Sequence, residues 1–138
     1  MQLKPTEQAQ ACPCGSGQPL AQCCAPLLWK GQAAPTAQAL MRARYSAFCL
    51  HLDAYLRASW HPQTRPSSLA FDPAQRWLGL KIVACKAGGT GDATGQVEFV
   101  ARYKIHGKAF RLHENSRFCR VDGHWVYVDG DIDPSGLP

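Results

Sequence analysis

The feature that most limits what this chain can fold into is a cysteine cluster: four of its seven cysteines, Cys12, Cys14, Cys23 and Cys24, fall within thirteen residues. Pro13, Gly15, Gly17 and Pro19 are interleaved with them and Pro26 follows, too many helix and strand breakers for the stretch to form regular structure on its own. It reads as a small knuckle. Such a segment can bend tightly, and four sulfurs brought to one point suit a tetrahedral ion such as zinc, bonded to sulfur at about 2.3 Å. Cys12-Pro13-Cys14 supplies two ligands, Gly15-Ser16-Gly17 permits the turn, and Cys23-Cys24 supplies the other two. All four positions are then filled by protein, so the one ion is expected to be structural rather than catalytic. The alternatives are free loop thiols or a reactive redox pair; adjacent or one-spaced cysteines make strained disulfides. Losing four thiol protons and gaining a divalent ion would change the formal charge from +5 to +3. The knuckle would become a local dianion, which Lys30 or an arginine of the following domain could compensate.

Thiols serve as ligands in a reducing compartment, and the rest of the chain is consistent with one. Its 138 residues are 46% hydrophobic and 18% charged, which excludes intrinsic disorder for the bulk and suggests one domain with a small appendage. No stretch approaches the roughly 18 to 20 apolar residues of a membrane span. The opening Met1-Gln2-Leu3-Lys4-Pro5-Thr6-Glu7 has no apolar core of a secretory signal, so the expectation is a cytoplasmic protein without a membrane span. The basic residues are scattered singly and never form a run, so nucleic-acid binding is permitted by charge and not indicated by it.

After a linker over 30–35, Thr36 is placed to cap a helix. Met41, Tyr45, Phe48, Leu52 and Tyr55 then recur at steps of four and three, lining one helical face to about Trp60. Arg42, Arg44, Asp53 and Arg57 fall between them as solvent-facing or bridging positions, and His61-Pro62 ends the pattern. Beyond 68 the period changes to two. Strands are expected over 77–85, 97–105, 110–121 and 124–129, with a flexible turn over 88–95, a turn at Gly107-Lys108 and a hairpin at Asp122-Gly123. Helices ahead of an antiparallel meander argue an α+β domain in which helices cover one face of a curved sheet. The expected division is a knuckle over 1–30 and the α+β domain over 31–138. Asp122, Asp129, Asp131 and Asp133 have no basic neighbour after Arg120 in the sequence.

Cys12-Pro13-Cys14-Gly15-Ser16-Gly17 followed by Cys23-Cys24 resembles the SEC-C zinc motif, known from the tail of the SecA translocase and from many small bacterial proteins. The translocase version usually has His as its fourth ligand and a lysine-rich stretch that helps it bind SecB; here stand Cys24 and the uncharged Gln18-Pro19-Leu20-Ala21-Gln22. Further motifs follow: Leu40-Met41-Arg42-Ala43-Arg44-Tyr45-Ser46-Ala47-Phe48, Trp60-His61-Pro62, Trp77-Leu78-Gly79-Leu80, Glu114-Asn115-Ser116-Arg117-Phe118 and Trp125-Val126-Tyr127-Val128-Asp129-Gly130. With these the chain looks like a member of the YchJ family of uncharacterised bacterial proteins from Cys12 to Gly130. That resemblance implies a middle domain of the nuclear-transport-factor-2-like (NTF2-like) type, a cone of helices against a curved sheet. Some relatives carry a second zinc motif at the C-terminus, which is absent before Pro138.

A cone encloses a cavity, and inward polar residues are its functional candidates. Phe110, Leu112, Glu114, Ser116 and Phe118 share one strand face, so Glu114 stands among apolar neighbours, where a carboxylate needs a partner or is suited to acid–base work. Arg42, Arg44, Arg102 and Arg117 are its candidate partners, with Tyr45, His61 and Trp125 as wall residues. Pairing that fixes register or closes the cone is the commoner role of such a glutamate. Tyr45, Phe48, Trp60, Trp77 and Trp125 read as core aromatics, and Cys49, Cys85 and Cys119 as inert buried thiols. The functions compatible with this reading are, in order, a non-enzymatic zinc-knuckle adaptor with a protein partner, a small-molecule binder or acid–base enzyme of isomerase or dehydratase type, and weak nucleic-acid or ribosome binding.

Overall fold

Two-residue turns organise the sheet. His106-Gly107 and Asp122-Gly123 all have positive φ, at 49°, 79°, 52° and 81°, the geometry of hairpin turns whose twist matches that of the strands. They join β2 (Thr94–Ile105) to β3 (Lys108–Val121) and β3 to β4 (His124–Ile132), while a longer loop over 88–93 joins β1 (Gln75–Ala87) to β2. The result is an antiparallel meander in the order β1-β2-β3-β4. Register irregularities at Trp77/Gly79 and Ile82/Ala84 in β1, and at Arg117/Phe118 in β3, bend the sheet. The protein is described by a computed structural model covering residues 9–133; residues 1–8, including the opening stretch considered for a leader, and 134–138 lie outside the described residues.

Helix α1 (Ala25–Trp29) starts directly after Cys24, with Pro26 in its first turn where no backbone N–H is needed, so the breaker-rich knuckle runs into regular structure. Helix α2 (Ala37–Cys49) begins as expected: the Thr36 side chain accepts a hydrogen bond from the Ala39 N–H at 3.0 Å. The periodic stretch to Trp60 is two helices, not one. His51 takes φ 56°, its N–H donates to Phe48 O at 3.3 Å and the Leu52 N–H donates to Ala47 O at 2.9 Å. This is a left-handed helix stop built without glycine, after which α3 (Asp53–Ala58) restarts.

Leu40, Met41, Ala43 and Tyr45 of α2 pack on Val97, Phe99 and Ala101 of β2, Phe118 of β3 and Trp125 of β4. Cys12, Cys14, Leu20 and Cys24 belong to the same buried cluster, so the knuckle is joined to the helix–sheet core. Beyond α3 the chain runs beside β4, where the Tyr127 N–H donates to Ser59 O at 2.8 Å and the His61 N–H to Tyr127 O at 2.7 Å, which covers part of an open sheet edge. Cys49 and Cys119 are half-buried, and Cys85 is exposed on the edge strand, where Gln38 Nε2 donates to its sulfur at 3.5 Å. Among the described residues no helix is long and apolar enough to cross a membrane.

Candidate metal centre and cavity

An ion 2.3 Å from four sulfurs at tetrahedral angles holds those sulfurs about 3.8 Å apart. In the knuckle the Cys14 and Cys23 sulfurs lie 3.6 Å apart, those of Cys23 and Cys24 3.9 Å apart, and all four within 4.8 Å of one another. These separations are far longer than a disulfide bond, and all seven cysteines are free. The four cysteines could therefore hold a metal ion, with no protein position left open around it.

The knuckle's backbone closes this site. An antiparallel bridge pairs Ala11 with Pro19, and the Cys12 N–H donates to Gln18 O at 2.9 Å. Helix α2 supports it from below with residues one turn apart: Arg42 Nη1 donates to Cys14 O at 2.8 Å and reaches the Cys14 sulfur at 3.8 Å, while Ser46 Oγ lies 3.5 Å from the Cys12 sulfur. The compensating cation is thus Arg42. Without an ion the thiols contend for one charge. Hydrogen bonds from Cys12 and Cys24 pull the Cys14 thiol down, burial pushes Cys23 up to about 11, and hydrogen bonds to Cys12 and Cys14 push Cys24 up. A divalent cation removes that conflict by stabilising all four thiolates together.

Between α2 and the sheet lies a cavity of about 270 Å³ walled by Tyr45, Phe48, Trp60, Trp77, Phe99 and Tyr127, with Arg44, Glu114 and Ser116 as its polar lining. Glu114 Oε2 accepts hydrogen bonds from Ser116 Oγ at 2.6 Å and Tyr127 Oη at 3.1 Å. Its side chain lies over Gly130, where an added Cβ would overlap the carboxylate. Arg44 is only 3% exposed, its guanidinium 4.7 Å from both the Trp60 and Tyr127 rings. Its Nη1 donates to Leu56 O at 2.8 Å and Ser59 Oγ at 2.7 Å. Burial presses it down to about 10, which leaves it a cation at neutral pH. Arg44 and Glu114 line one cavity without forming an ion pair. Tyr127 mediates between them, with its hydroxyl on the glutamate and its ring against the arginine.

Residues 36–130 match the family model described as YchJ, middle NTF2-like domain, and residues 10–26 match the SEC-C motif. The chain belongs to the YchJ family. A UPF0225 protein of Chromobacterium violaceum is 54% identical over 133 residues, covering 93% of this chain and 98% of the relative. One from Streptomyces coelicolor is 48% identical over 121 residues, covering 88% and 94%. Among solved structures, the solution structure of a SEC-C motif containing protein from Rhodopseudomonas palustris aligns with a TM-score of 0.77 at 31% identity, covering 88% of this chain and 98% of that one. The crystal structure of a SEC-C motif containing protein from Psychrobacter arcticus aligns at 0.73 and 26% identity, covering 93% and 85%. The α+β, NTF2-like architecture of this YchJ-family chain follows from both comparisons and its own sheet and helices.

In this YchJ-family protein the cavity brings together two of the five residues singled out from the sequence, Glu114 and Tyr45. The other three lie outside it. Arg117 alternates onto the opposite face of β3 and pairs with Asp129 at 2.6 Å and Asp131 at 2.7 Å, so the acidic tail does have a basic neighbour in space. His61 lies past α3 with Nδ1 accepting from the Gln63 N–H at 3.0 Å, a turn contact. Trp125 is buried beyond the cavity under the Arg120 guanidinium, 4.4 Å from its ring centroid. Of the candidate partners for Glu114, Arg102 is exposed and Arg42 faces the knuckle. Arg44, one of the candidate partners of Glu114 and also read as a bridging or solvent-facing position, is the buried cation of the site and meets Glu114 through Tyr127 rather than in an ion pair. Tyr127 and Gly130 are the site residues that sequence reasoning misses; Gly130, a glycine inside a strand, is itself a sign of close approach.

Proposed function

We propose that this protein binds a small organic molecule in the helix–sheet cavity, and that the cysteine quartet holds one structural zinc ion that fastens the N-terminal segment to α2. The observation that carries the first part is a set of polar groups with unused hydrogen-bonding capacity on an otherwise aromatic wall. Arg44 uses one of its three nitrogens, the Trp60 indole N–H is buried without a partner, and Glu114 Oε1 accepts no hydrogen bond among the described residues. Of these the Trp60 N–H is the fully buried unpartnered atom, and together the three groups offer a ligand two donors, at Arg44 and Trp60, and one acceptor, at Glu114. By the liquid volume of water the cavity holds about nine solvent molecules, which suits a ligand of roughly ten non-hydrogen atoms.

Zinc is favoured for the quartet because four thiolates at tetrahedral spacing suit that ion and leave no open position for reaction. Seven free cysteines support the cytoplasm as the compartment. A protein-adaptor role ranks second, since the sulfurs turn inward and the knuckle offers a partner chiefly its exposed, uncharged loop over 15–18. The cavity reading is tested with benzoate, a planar carboxylate of suitable size. Titrated at millimolar concentration, it should shift the NMR resonances of Trp60, Trp77 and Tyr127 saturably in the native protein and not in Arg44→Met. Saturable binding retained by Arg44→Met would reject Arg44 as the anchor, and no shift at all would reject the cavity as a carboxylate site. An acid–base enzyme would in addition lose turnover, but not binding, in Glu114→Gln.

A further inference from the structure

The cations that sequence order scatters are gathered on the outer face of the sheet. In the strand register Arg102 of β2 stands opposite Arg111 of β3, and Arg76 of β1 opposite Lys104 of β2, while Lys81 of β1 stands opposite Val100, two residues along β2 from Arg102. Their neighbours Ala101 and Leu112 face the core and the cavity, so these five side chains point away from the helices. All five are exposed, and none makes an ion pair or side-chain hydrogen bond among the described residues. Directly opposed like charges about 5 Å apart along the ladder work against the sheet. The nearest outward carboxylate on β2, Glu98, is engaged 2.7 Å from His113. The arrangement therefore carries uncompensated positive charge over three adjacent strands.

We propose that this face binds the phosphate backbone of a nucleic-acid duplex. Charge complementarity selects a polyanion, and the dense, regular charge of a duplex, about one phosphate per 1.7 Å of axis, can meet cations on three strands at once. The outward residues between the cations are Leu78, Val83, the buried Val100 and His113, and the one ring among them, the His113 imidazole, is held between Glu98 and Asp133, so the surface is suited to backbone contact rather than to stacking of single strands. This site is on the side of the sheet opposite the cavity and does not depend on the cavity having a ligand.

The test is fluorescence anisotropy with a labelled DNA duplex of about 20 base pairs between 50 and 200 mM KCl. Five phosphate contacts give a slope of log affinity against log salt near −4.5, a loss of about 500-fold over that range. Arg102→Gln with Arg111→Gln should flatten the slope by about 1.8 units, whereas Lys30→Gln with Arg57→Gln, which removes the same charge on the helical side, should leave it nearly unchanged. Equal slopes in the two double variants would overturn the proposal, as would absence of binding at 50 mM salt. Displacement of the duplex by poly-glutamate at equal charge concentration would assign the face to an acidic protein instead and would overturn it too. Circular dichroism of each variant establishes that the fold is retained.

Discussion

At the scale of single residues, the cavity depends on a glycine as much as on its charged groups. Gly130 lies on β4 opposite Ser116, and its missing side chain is the space that the Glu114 carboxylate occupies. A methyl group there must displace either the strand or the glutamate, and Glu114 cannot swing away without losing its bonds to Ser116 and Tyr127. Gly130→Ala is therefore expected to destabilise the protein by about 1–3 kcal/mol, the usual range for overpacking. Urea denaturation measures it, and a cycle with Glu114→Ala identifies the cause. If the clash is with the carboxylate, the cost of Gly130→Ala shrinks to a few tenths of a kcal/mol once Glu114 is truncated. Equal costs in both backgrounds would place the strain in the backbone, and Glu114 would no longer be the residue for which Gly130 makes room.

At the scale of elements, the helical layer contains half-buried groups whose titration sets an alkaline limit. Cys49 at the end of α2 is raised from 9.0 to about 11 and Tyr55 in α3 from 10.0 to about 12, in both cases first because burial disfavours the charged form. Between pH 9 and 12 the unfolded chain has released protons that the folded chain still holds, so their contribution to stability is full below about pH 9 and is lost as pH rises through 11 and 12. The melting temperature should fall across that window, and Cys49→Ala should reduce the part of the fall that starts near pH 9, to which Cys119 also contributes; no reduction would mean that the Cys49 thiol is not shielded in solution. The same layer shows what the sequence could and could not convey. The turn at Asp122-Gly123 was legible because φ above zero is cheap at glycine; Gly107 marked the other turn but one residue late, at Gly107-Lys108 instead of His106-Gly107, because a histidine takes the first positive-φ position, and the Thr36 cap was legible because its hydroxyl type is diagnostic. The break between α2 and α3 was not, because a histidine takes the left-handed position that glycine usually marks while the apolar spacing runs on undisturbed. Cys12, Cys14, Cys23 and Cys24 were legible from proximity in the chain, whereas the meeting of Arg44, Glu114 and Tyr127 needs three elements to pack and leaves no local trace.

At the scale of the molecule, the cysteine quartet is a joint between the N-terminal segment and the domain rather than a free appendage. Three of its sulfurs are buried, Cys14 completely, and Arg42 and Ser46 of α2 sit against it. If the quartet holds the proposed ion, its removal should do more than loosen a loop. Four thiolates left without a cation must recover protons, which burial favours, but the neutral thiols are no longer drawn to one centre, so the knuckle loses its tie to α2. A strong chelator at pH 7 should therefore lower the melting temperature of the full chain, and the amide protons of α2 around Arg42 and Ser46 should exchange faster, while those of the β2–β3 hairpin near Gly107 keep their protection. Acid should mimic the chelator, because metal-bound sulfurs release the ion as they take up protons and so the loaded fold loses stability as pH falls. Exchange confined to the knuckle, with α2 unchanged, would show that the two parts are energetically separate; an effect on α2 requires that the ion's binding energy is felt in the wall that also carries Arg44.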